Sequence, residues 1–297
     1  MRFLERFFGA GAQPKIGEKP QLAEESLEGN KEKTPYLKTP EEEILESREK
    51  KSSNELDGSE HVNEVFFVEL KDDGSAIFKP SKGEKIGSFF TGTKEKVMYK
   101  NERAAYLVDK FLGFNLVPPT TIRSIDGEIG SLQQFIPDAQ EITVLSGAYA
   151  KTKMENEERK KELIKLWIFD YIIWNKDRHG GNVLIKDKKV YAIDNGLAFS
   201  TSSLGYWQSY EYFFNQPVPD EVIGALEKFY PIESEGPVNE AVEAVWRENE
   251  RVLRDLLLEL LSEQDVSACL GRMRLIRIFL RRYKGIIPLE VKEKLTF

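Results

Sequence analysis

The sequence predicts an α+β protein with a β-rich N-terminal lobe and a mostly helical C-terminal lobe. Short β-branched and aromatic runs separated by turn residues fill the stretch 63–137, whereas apolar residues at helical spacing prevail after residue 155. We expect the first lobe at 62–137 and the second at 138–297. The cleft between two such lobes is a common position for a ligand site.

Composition and charge exclude several classes of function. Hydrophobic residues make up 40% of the 297 residues, enough for a sizeable core, and a formal net charge of −7 argues against a nucleic-acid partner. Cys269 is the only cysteine, and His61 and His179 are the only histidines, which rules out a disulfide framework and a zinc site built from cysteines or several histidines. No apolar run approaches the length of a membrane span, and the start MRFLERFFGAG makes a poor signal peptide, so we expect a cytoplasmic protein.

Residues 1–61 are expected to form a disordered or linker arm. Within it, 10–60 is rich in Glu, Lys, Pro, Ser and Gly, and it has too few large apolar residues to offset the entropy lost on ordering. A short amphipathic stretch precedes this segment and carries apolar side chains at helical spacing: Phe3, Leu4, Phe7 and Phe8. This stretch either docks on the chain's own domain or stays frayed, or it makes a peripheral contact with a membrane or a partner.

The first lobe shows two predicted β-hairpins and one helix. The turn Asp73-Gly74 joins two β-rich runs, the second of which stops at Pro80, and Asp126-Gly127 lies between another such pair. Between the pairs, apolar residues share one helical face, and Gly113 is a suitable C-cap. The predicted elements are strands at 64–70 and 76–80, a helix at 100–113, and strands at 114–124 and 128–137.

The second lobe is predicted to be helical apart from one β-hairpin. Its first helix ends in the apolar run LIKLWIFDYIIW, and a charged turn separates the two short strands that follow. The predicted elements are helices at 155–174, 219–229, 238–261 and 265–283, a short helix from 288, and strands at 182–186 and 189–194.

Candidate catalytic residues lie in the run NKDRHGGNVLIKDKKVYAIDNGL at 175–197. Phosphoryl transfer needs a positioned acceptor oxygen, metal ions on the phosphates, and cations that neutralise developing charge. Asn182 follows Asp177 by five residues, which is also the separation between the base and the metal-binding asparagine of kinase catalytic loops. The strand hairpin then brings Asp194, a hard ligand suited to Mg²⁺, back to the same end.

The same run has a plainer interpretation, a surface loop with a capping aspartate followed by a β-hairpin. D-R-H alone occurs often by chance, but D-R-H-x-x-N, a pair of apolar strands and I-D-N-G together are far more specific. After Asp194, Asn195-Gly196 can take an unusual backbone turn, because both residues tolerate positive φ. The sequence therefore predicts an ATP- and Mg²⁺-dependent phosphotransferase.

The runs DYIIWNKDRHGGNVLI and VYAIDNGLAF resemble the phosphatidylinositol 3-/4-kinase-like superfamily, which includes type II phosphatidylinositol 4-kinases, HipA-type bacterial protein kinases and Fam20 secretory kinases. Upstream, FKPSKGEK and NERAAYLVDKFLGFNLVPPT look closer still to small bacterial phosphatidylinositol-kinase-like proteins. The resemblance spans about residues 64–230. It implies a bilobal protein-kinase-like fold, ATP and Mg²⁺ as cofactors, and D-N-G in place of the usual D-F-G.

The resemblance also implies a role for each site residue. Asp177 would position or deprotonate the acceptor, while Asn182 and Asp194 would bind Mg²⁺. Lys79 would hold the ATP phosphates, and Glu102 would be its ion-pair partner. Taken alone, Lys79 is typical of an edge strand, and Glu102 simply suits the first turn of a helix.

The hinge that connects the lobes is expected at 133–137, where backbone groups of Gln134, Phe135 and Ile136 would bind the adenine. Arg178 is a candidate to pair with a carboxylate and hold the loop. His179 is either a second base or phosphate contact, or a structural residue, which the family pattern favours.

The acceptor of the phosphate stays open at this stage. One hypothesis is a kinase that acts on a lipid or small molecule, as phosphatidylinositol kinases do. A second is a HipA-like Ser/Thr protein kinase, or an enzyme that modifies proteins with nucleotide. A third is a non-catalytic nucleotide-binding regulator, which the presence of every expected catalytic and metal residue disfavours. The catalytic loop serves the chemistry and does not select the acceptor.

Overall fold

The three-dimensional description rests on a computed structural model. It describes residues 36–56, 63–72, 74–84, 98–142, 156–199, 213–229, 240–291 and 295. The amphipathic stretch proposed for membrane contact, Phe3 to Phe8, lies outside the described residues. Across the described ranges, no helix is both long and apolar enough to span a bilayer.

A five-stranded antiparallel sheet forms the first lobe, with the strand order β1-β2-β3-β5-β4. The strands are β1 (Lys50–Glu55), β2 (Phe66–Leu70), β3 (Gly74–Pro80), β4 (Thr120–Ile125) and β5 (Glu128–Gln134). The four strands predicted between residues 64 and 137 are therefore present, with β4 beginning later than expected. Pro118 and Pro119 precede β4, and prolines lack the N–H that a ladder position needs.

Helix α2 (Met98–Leu112) connects the two hairpins and packs against β4 and β5. It ends at Gly113, whose φ of 69° is the left-handed conformation of a C-cap. Its apolar face, which includes Ala104, Leu107 and Val108, belongs to the same hydrophobic core as the helices of the second lobe. Helix α2 therefore packs into the core of the second lobe.

The prediction of a disordered arm up to residue 61 is wrong for residues 36–56. These residues form helix α1 (Pro40–Ser47) and strand β1, which pairs with β2 at the edge of the sheet. Thr39 caps α1 in a capping box with Glu42, and Leu45 is only 2% exposed in the core of the first lobe. The amino-acid composition did not predict that this segment folds, because the segment is ordered by charged contacts to distant residues rather than by apolar residues of its own.

Within its described residues, the second lobe has four α-helices of several turns and a small sheet. Its helices are α3 (Glu157–Ile173), α4 (Asp220–Glu227), α5 (Glu240–Leu258) and α6 (Glu263–Arg282), and its sheet has the order β6-β7-β8, with β6 (Gln140–Glu141), β7 (Val183–Lys186) and β8 (Lys189–Ala192). A 3-10 turn at Gly180–Asn182 precedes β7, and another at Leu289–Val291 stands where the short last helix was predicted.

Helix α3 positions the loop that carries Asp177. Residues 163–173 of this helix are all buried, as expected for a helix that is surrounded by protein on every side. It ends at Trp174, whose φ of 54° is left-handed and reverses the chain into the loop. The predicted α+β, bilobal fold is confirmed, with a small core in the β-rich lobe and a larger one that spans α2 and the helical lobe.

Candidate active site

Lys79 lies at the centre of the candidate site. Its Nζ donates to Glu102 Oε1 at 2.6 Å and to Asp194 Oδ1 at 2.9 Å. The three residues come from β3, α2 and the loop after β8. The Glu102 side chain is 3% exposed and the Asp194 side chain is 46% exposed, so one carboxylate is structural and the other faces solvent.

The end of β3 is fixed in place by a close approach of β5. Lys79 pairs with Ser131 and Pro80 pairs with Gly130 across the two strands. A Cβ on Gly130 would overlap the carbonyl oxygen of Lys79 and would lie 2.8 Å from Pro80 Cα. Only glycine therefore allows β5 to support the backbone of Lys79 at this distance. Sequence reasoning missed Gly130, because a lone glycine in a strand gives no indication of what it approaches.

Helix α2 also holds the D-N-G turn. Glu102 uses its second oxygen, Oε2, to accept the backbone N–H of Asn195 at 3.0 Å. The neighbouring Asn101 donates its Nδ2 to the carbonyls of Gly196 and Ala198, at 2.8 and 3.0 Å. One turn of α2 thus sets the position of both Lys79 and the segment that carries Asp194. Asn101 was missed as a site residue, although it directly precedes Glu102 in the sequence.

Within the D-N-G turn, the residue with the unusual backbone conformation is Asp194. Its φ is 54°, whereas neither Asn195 nor Gly196 has positive φ. Asn195 and Gly196, which the sequence marked as tolerant of positive φ, do not use that tolerance, and the buried Asn195 is bonded to Glu102 and Arg178. A non-glycine residue held at positive φ is a local strain that aims the Asp194 carboxylate at Lys79.

The loop around Asp177 is held by its own amides. The Asp177 N–H donates to Asn175 Oδ1 at 2.9 Å, and Asn182 Nδ2 donates to the Asp177 carbonyl at 2.9 Å. The five-residue separation of Asp177 and Asn182 therefore closes a small ring, in which the Asp177 side chain stays exposed. Asn182 is buried, and its Nδ2 is used for this ring, which leaves its Oδ1 as the oxygen to offer a metal ion.

Arg178 binds the two segments that carry the candidate metal ligands. Its guanidinium lies against Asp170 of α3, with Nη2 and Oδ1 3.0 Å apart, and both side chains are 1% exposed. Its Nη1 donates to the carbonyls of Asn182 and Ile193 at 2.7 and 2.6 Å. This is the carboxylate-pairing role considered for Arg178. Asp170 was missed, although an acidic residue in the apolar run LWIFDYII signals a buried ion pair.

Charge and burial explain how the two loop aspartates and Lys79 differ. Lys79 holds the pKa of Asp194 below its usual value, although burial acts in the opposite direction. Burial alone would lower the pKa of Lys79, but Asp194 and Glu102 together raise it above the ordinary value. Partial desolvation by the surrounding loop raises the pKa of Asp177, and the Asp194 charge adds to this, against the effect of His179. A raised pKa makes Asp177 the stronger base of the two loop aspartates.

His179 lies at the rim of the loop. Its Nδ1 accepts the backbone N–H of Gly181 at 3.2 Å and caps the 3-10 turn that ends at Asn182. The imidazole is exposed and contributes to the field at Asp177 and Asp194. This contact stabilises the backbone of the loop, which is the structural role that the family pattern favours for His179.

The candidate Mg²⁺ ligands suit the metal by type. An amide oxygen and a carboxylate are hard donors, and Mg²⁺ typically takes one or two protein ligands and completes its shell with water and phosphate oxygens. Ile193 N donates to Asn182 O at 3.1 Å, which holds the neighbouring Asp194 beside Asn182. Among the residues that the structure describes, no three His, Cys, Asp or Glu side chains form a metal cluster. By donor type, the amide oxygen of Asn182 and the carboxylate of Asp194 fit Mg²⁺ carried by a nucleotide.

The predicted hinge residues lie at the end of β5. Gln134 N donates to Pro119 O at 2.8 Å, and Phe135 N donates to Ser75 O at 3.0 Å. These two N–H groups are therefore already used within the lobe, and an adenine would have to bind other backbone groups of the stretch. The Phe135 ring packs edge-on against Phe67, with the ring centroids 5.2 Å apart.

The arrangement of these residues defines the class of protein. A strand lysine paired with a helix glutamate, next to a loop that carries an aspartate and an asparagine five residues apart, belongs to the protein-kinase-like folds. The chain belongs to the phosphatidylinositol 3- and 4-kinase family, whose sequence model matches residues 96–263. The resemblance stated from the motifs is confirmed.

Comparison with individual proteins agrees with this class. Protein Rv2133c of Mycobacterium tuberculosis (strain ATCC 25618 / H37Rv) is 28% identical over an alignment that covers 50% of this chain and 63% of the relative. The alignment thus spans less than two thirds of that relative's length. A Golgi casein kinase structure is 17% identical, with a TM-score of 0.53, over 80% of this chain and 74% of the other.

Two further structures show the same fold. The Golgi casein kinase with Mn/ADP bound has a TM-score of 0.51 and 18% identity, over 80% of this chain and 74% of the other. A hydra Fam20 structure with sugar has a TM-score of 0.53 and 14% identity, over 81% of this chain and 87% of the other. At these identities the likeness establishes the fold, and with the family match it supports a kinase-like phosphotransferase.

Proposed function

We propose that this chain transfers the γ-phosphate of ATP to a hydroxyl group, with Mg²⁺ as the metal. The position of the Lys79 ammonium carries the proposal, because it lies 2.6 Å from Glu102 and 2.9 Å from the candidate metal ligand Asp194. A cation held at this point can neutralise the phosphates of a metal-bound nucleotide. The family match supports kinase chemistry, and one structural relative has Mn and ADP bound.

Each residue has one task in the proposed reaction. Asp177, exposed and with a raised pKa, accepts the proton of the acceptor hydroxyl or orients it toward the γ-phosphate. Lys79, oriented by Glu102, binds phosphate oxygens. Asn182 and Asp194 hold Mg²⁺, which neutralises charge on the phosphates when it is bound. Arg178 keeps the loop and the D-N-G segment in one geometry, so that these groups need no rearrangement during transfer.

The acceptor is best defined by direct incubation. The purified chain is mixed with γ-labelled ATP and Mg²⁺, first alone, then with a lipid extract, and then with a protein lysate. Incorporation into lipid supports a lipid kinase, incorporation into protein supports a HipA-like protein kinase, and mass spectrometry separates phosphate from nucleotide transfer. The absence of transfer in all three mixtures, with ATP binding intact, would favour a nucleotide-binding regulator and contradict the proposal.

Asp194→Asn tests the metal ligand within this assay. Asparagine is preferred to alanine because it tolerates the φ of 54° at this position. Loss of the carboxylate is expected to lower the transfer rate by about two to four orders of magnitude, or about 3–5 kcal/mol of transition-state stabilisation, with the fold intact. Asp187→Asn is the matched control, since Asp187 is exposed in the turn between β7 and β8 and also has positive φ, 48°. Full activity in Asp194→Asn would contradict the assignment.

A further inference from the structure

Glu42 of α1 is fully buried and has hydrogen bonds on both carboxylate oxygens. Its Oε1 accepts from Tyr36 OH at 2.8 Å and from Arg103 Nη1 at 2.7 Å. Its Oε2 accepts from Lys110 Nζ at 2.7 Å and from Thr39 N at 2.9 Å. The side chain is 0% exposed, so it is stable as a carboxylate only because these donors surround it.

Two of these four donors belong to α2, the helix that carries Glu102. Arg103 follows Glu102 directly, and Lys110 lies seven residues after Arg103. Seven residues are almost two full helical turns, so Arg103 and Lys110 lie along one stripe of α2. A single carboxylate that binds both positions fixes the rotation of α2 about its own axis as well as its position along the sheet.

Helix α1 is in turn attached to β4. Arg123 donates to the carbonyls of Leu45 and Arg48, at 2.9 and 2.6 Å, and Thr121 Oγ1 donates to Glu46 Oε1 at 3.0 Å. Arg103 also donates to the Thr120 carbonyl. The chain of contacts therefore runs from the sheet through α1 to α2. It ends one residue from the glutamate that holds Lys79.

Burial makes this attachment depend on charge. Burial by itself disfavours the Glu42 carboxylate, but the hydrogen bonds from Lys110, Thr39 and Arg103 outweigh it and lower the pKa to about 2. Arg103 is 9% exposed, so a neutral partner at position 42 would leave its guanidinium buried with less compensation. We expect α2 to rotate or shift to hydrate Arg103, and Glu102 would move with it.

We propose that Glu42 is a positioning residue for the proposed phosphotransfer, which fixes the rotation of α2 and thereby keeps Glu102 against Lys79. The proposal rests on the proposed function for its catalytic readout, but its structural content stands by itself. The segment 36–47 thus has an indirect role in binding the ATP phosphates, because none of its residues is proposed to contact the nucleotide. The proposal also predicts different effects on two parts of the nucleotide. Contacts to the ATP phosphates depend on Lys79, whereas contacts to the adenine ring do not.

The test compares Glu42→Gln with the matched control Glu43→Gln. Both changes remove one negative charge from the same turn of α1, but Glu43 is exposed. For each protein, the affinities for ATP and adenosine and the transfer rate are measured with Mg²⁺ present. We expect Glu42→Gln to weaken ATP binding or slow transfer by about tenfold or more, because a small displacement of a positioned group has a large effect on rate. Adenosine affinity should stay at the wild-type value.

Several outcomes would overturn the proposal. One is that Glu42→Gln and Glu43→Gln behave alike. Another is that Glu42→Gln loses ATP and adenosine binding equally, which indicates general loss of structure rather than mispositioning. If Glu42→Gln does not fold, Tyr36→Phe replaces it, since it keeps the ring but removes the hydrogen bond to Glu42 and the one that Lys110 donates to the Tyr36 hydroxyl. In Tyr36→Phe, an unchanged ratio of ATP to adenosine affinity together with an unchanged transfer rate would then overturn the proposal.

Hydrogen exchange distinguishes this proposal from the proposed function. The backbone N–H of Asn195 is bonded to Glu102, so its exchange rate reports the position of α2 without any catalysis. If the wild-type chain transfers no phosphate, the proposed function fails, and this exchange rate alone decides the role of Glu42. Faster exchange in Glu42→Gln than in Glu43→Gln supports the role, and equal rates in the two variants contradict it.

Discussion

The two halves of the candidate site are built over very different distances in the sequence. In the loop half, three of the contacts join residues only two, five and eight positions apart: Asp177 with Asn175, Asn182 with Asp177, and Arg178 with Asp170. The longest contacts of Arg178 reach Ile193 and Asn195, 15 and 17 positions away. In the lysine half, Lys79 contacts residues 23 and 115 positions away. The loop half is therefore specified largely by local sequence, whereas the lysine half joins distant segments, and its contact with Asp194 exists only when the two lobes are packed together.

This difference predicts different responses to mutation. Damage to the loop half leaves buried charges without partners inside the larger core, and should reduce the stability of the whole protein. Damage to the lysine half changes the relation between β3, α2 and the D-N-G turn, and should reduce activity more than stability. Variants in each half can confirm or contradict this distinction.

Asp170→Asn is expected to have the largest effect on stability. It leaves the Arg178 guanidinium, with a side chain 1% exposed, without its carboxylate. Breaking a buried ion pair by removing one partner costs about 3–5 kcal/mol. Chemical denaturation measures the free energy of unfolding, with Asp187→Asn as the exposed control. A loss below about 1 kcal/mol, the level of a surface ion pair, would show that the loop half is not held by this pair.

Gly130→Ala is expected to have an intermediate effect, and it acts on the lysine half. The new methyl group would overlap the Lys79 carbonyl and contact Pro80, so β5 and β3 must move apart. Overpacking of this kind costs about 1–3 kcal/mol, and the displaced lysine should lower ATP affinity as well. Gly127→Ala is not a suitable control, because Gly127 has a φ of 84°. Gly224→Ala on α4 is suitable, since nothing lies within 4 Å of the added Cβ. Equal ATP affinities in the two variants would contradict the expected displacement.

The response to acid tests the attachment of α1 through Glu42. Its pKa is about 2 in the folded chain and near 4.5 when unfolded, so its stabilisation is complete above pH 4.5 and is lost as the pH falls toward 2. The difference in unfolding free energy between wild type and Glu42→Gln should therefore shrink over this interval. Denaturation curves at several pH values within it measure the difference. A constant difference would show that the Glu42 carboxylate is not the stabilising species.

The same contrast explains how much could be predicted from the sequence. The D-R-H-x-x-N spacing identified Asp177 and Asn182, because a ring of five residues closes within one loop. Lys79 and Glu102 could be named only through the family resemblance, since nothing local distinguishes them from an edge-strand lysine and a first-turn glutamate. Helix α1 and β1 were missed, because Glu42 is stabilised by Arg103 and Lys110, which are 61 and 68 residues away.

Asn101, Asn175 and Gly130 were missed for a related reason. The two asparagines act through hydrogen bonds to backbone or amide groups of other segments, and these partners have no signature in the sequence. The function of Gly130 is to leave space for Lys79. Hydrogen bonds to distant segments, and the space that a glycine leaves for its neighbour, can be seen only once the fold is known.

The central claim, that Glu102 acts through Lys79 in phosphate transfer, is tested most directly by a double-mutant cycle. The transfer rates of Lys79→Met, Glu102→Gln and the double variant are measured with labelled ATP and Mg²⁺. If the two residues act as one unit, the double variant loses no more activity than Lys79→Met alone, so the losses are strongly non-additive. Losses that multiply independently, or wild-type activity in Lys79→Met, would contradict the account.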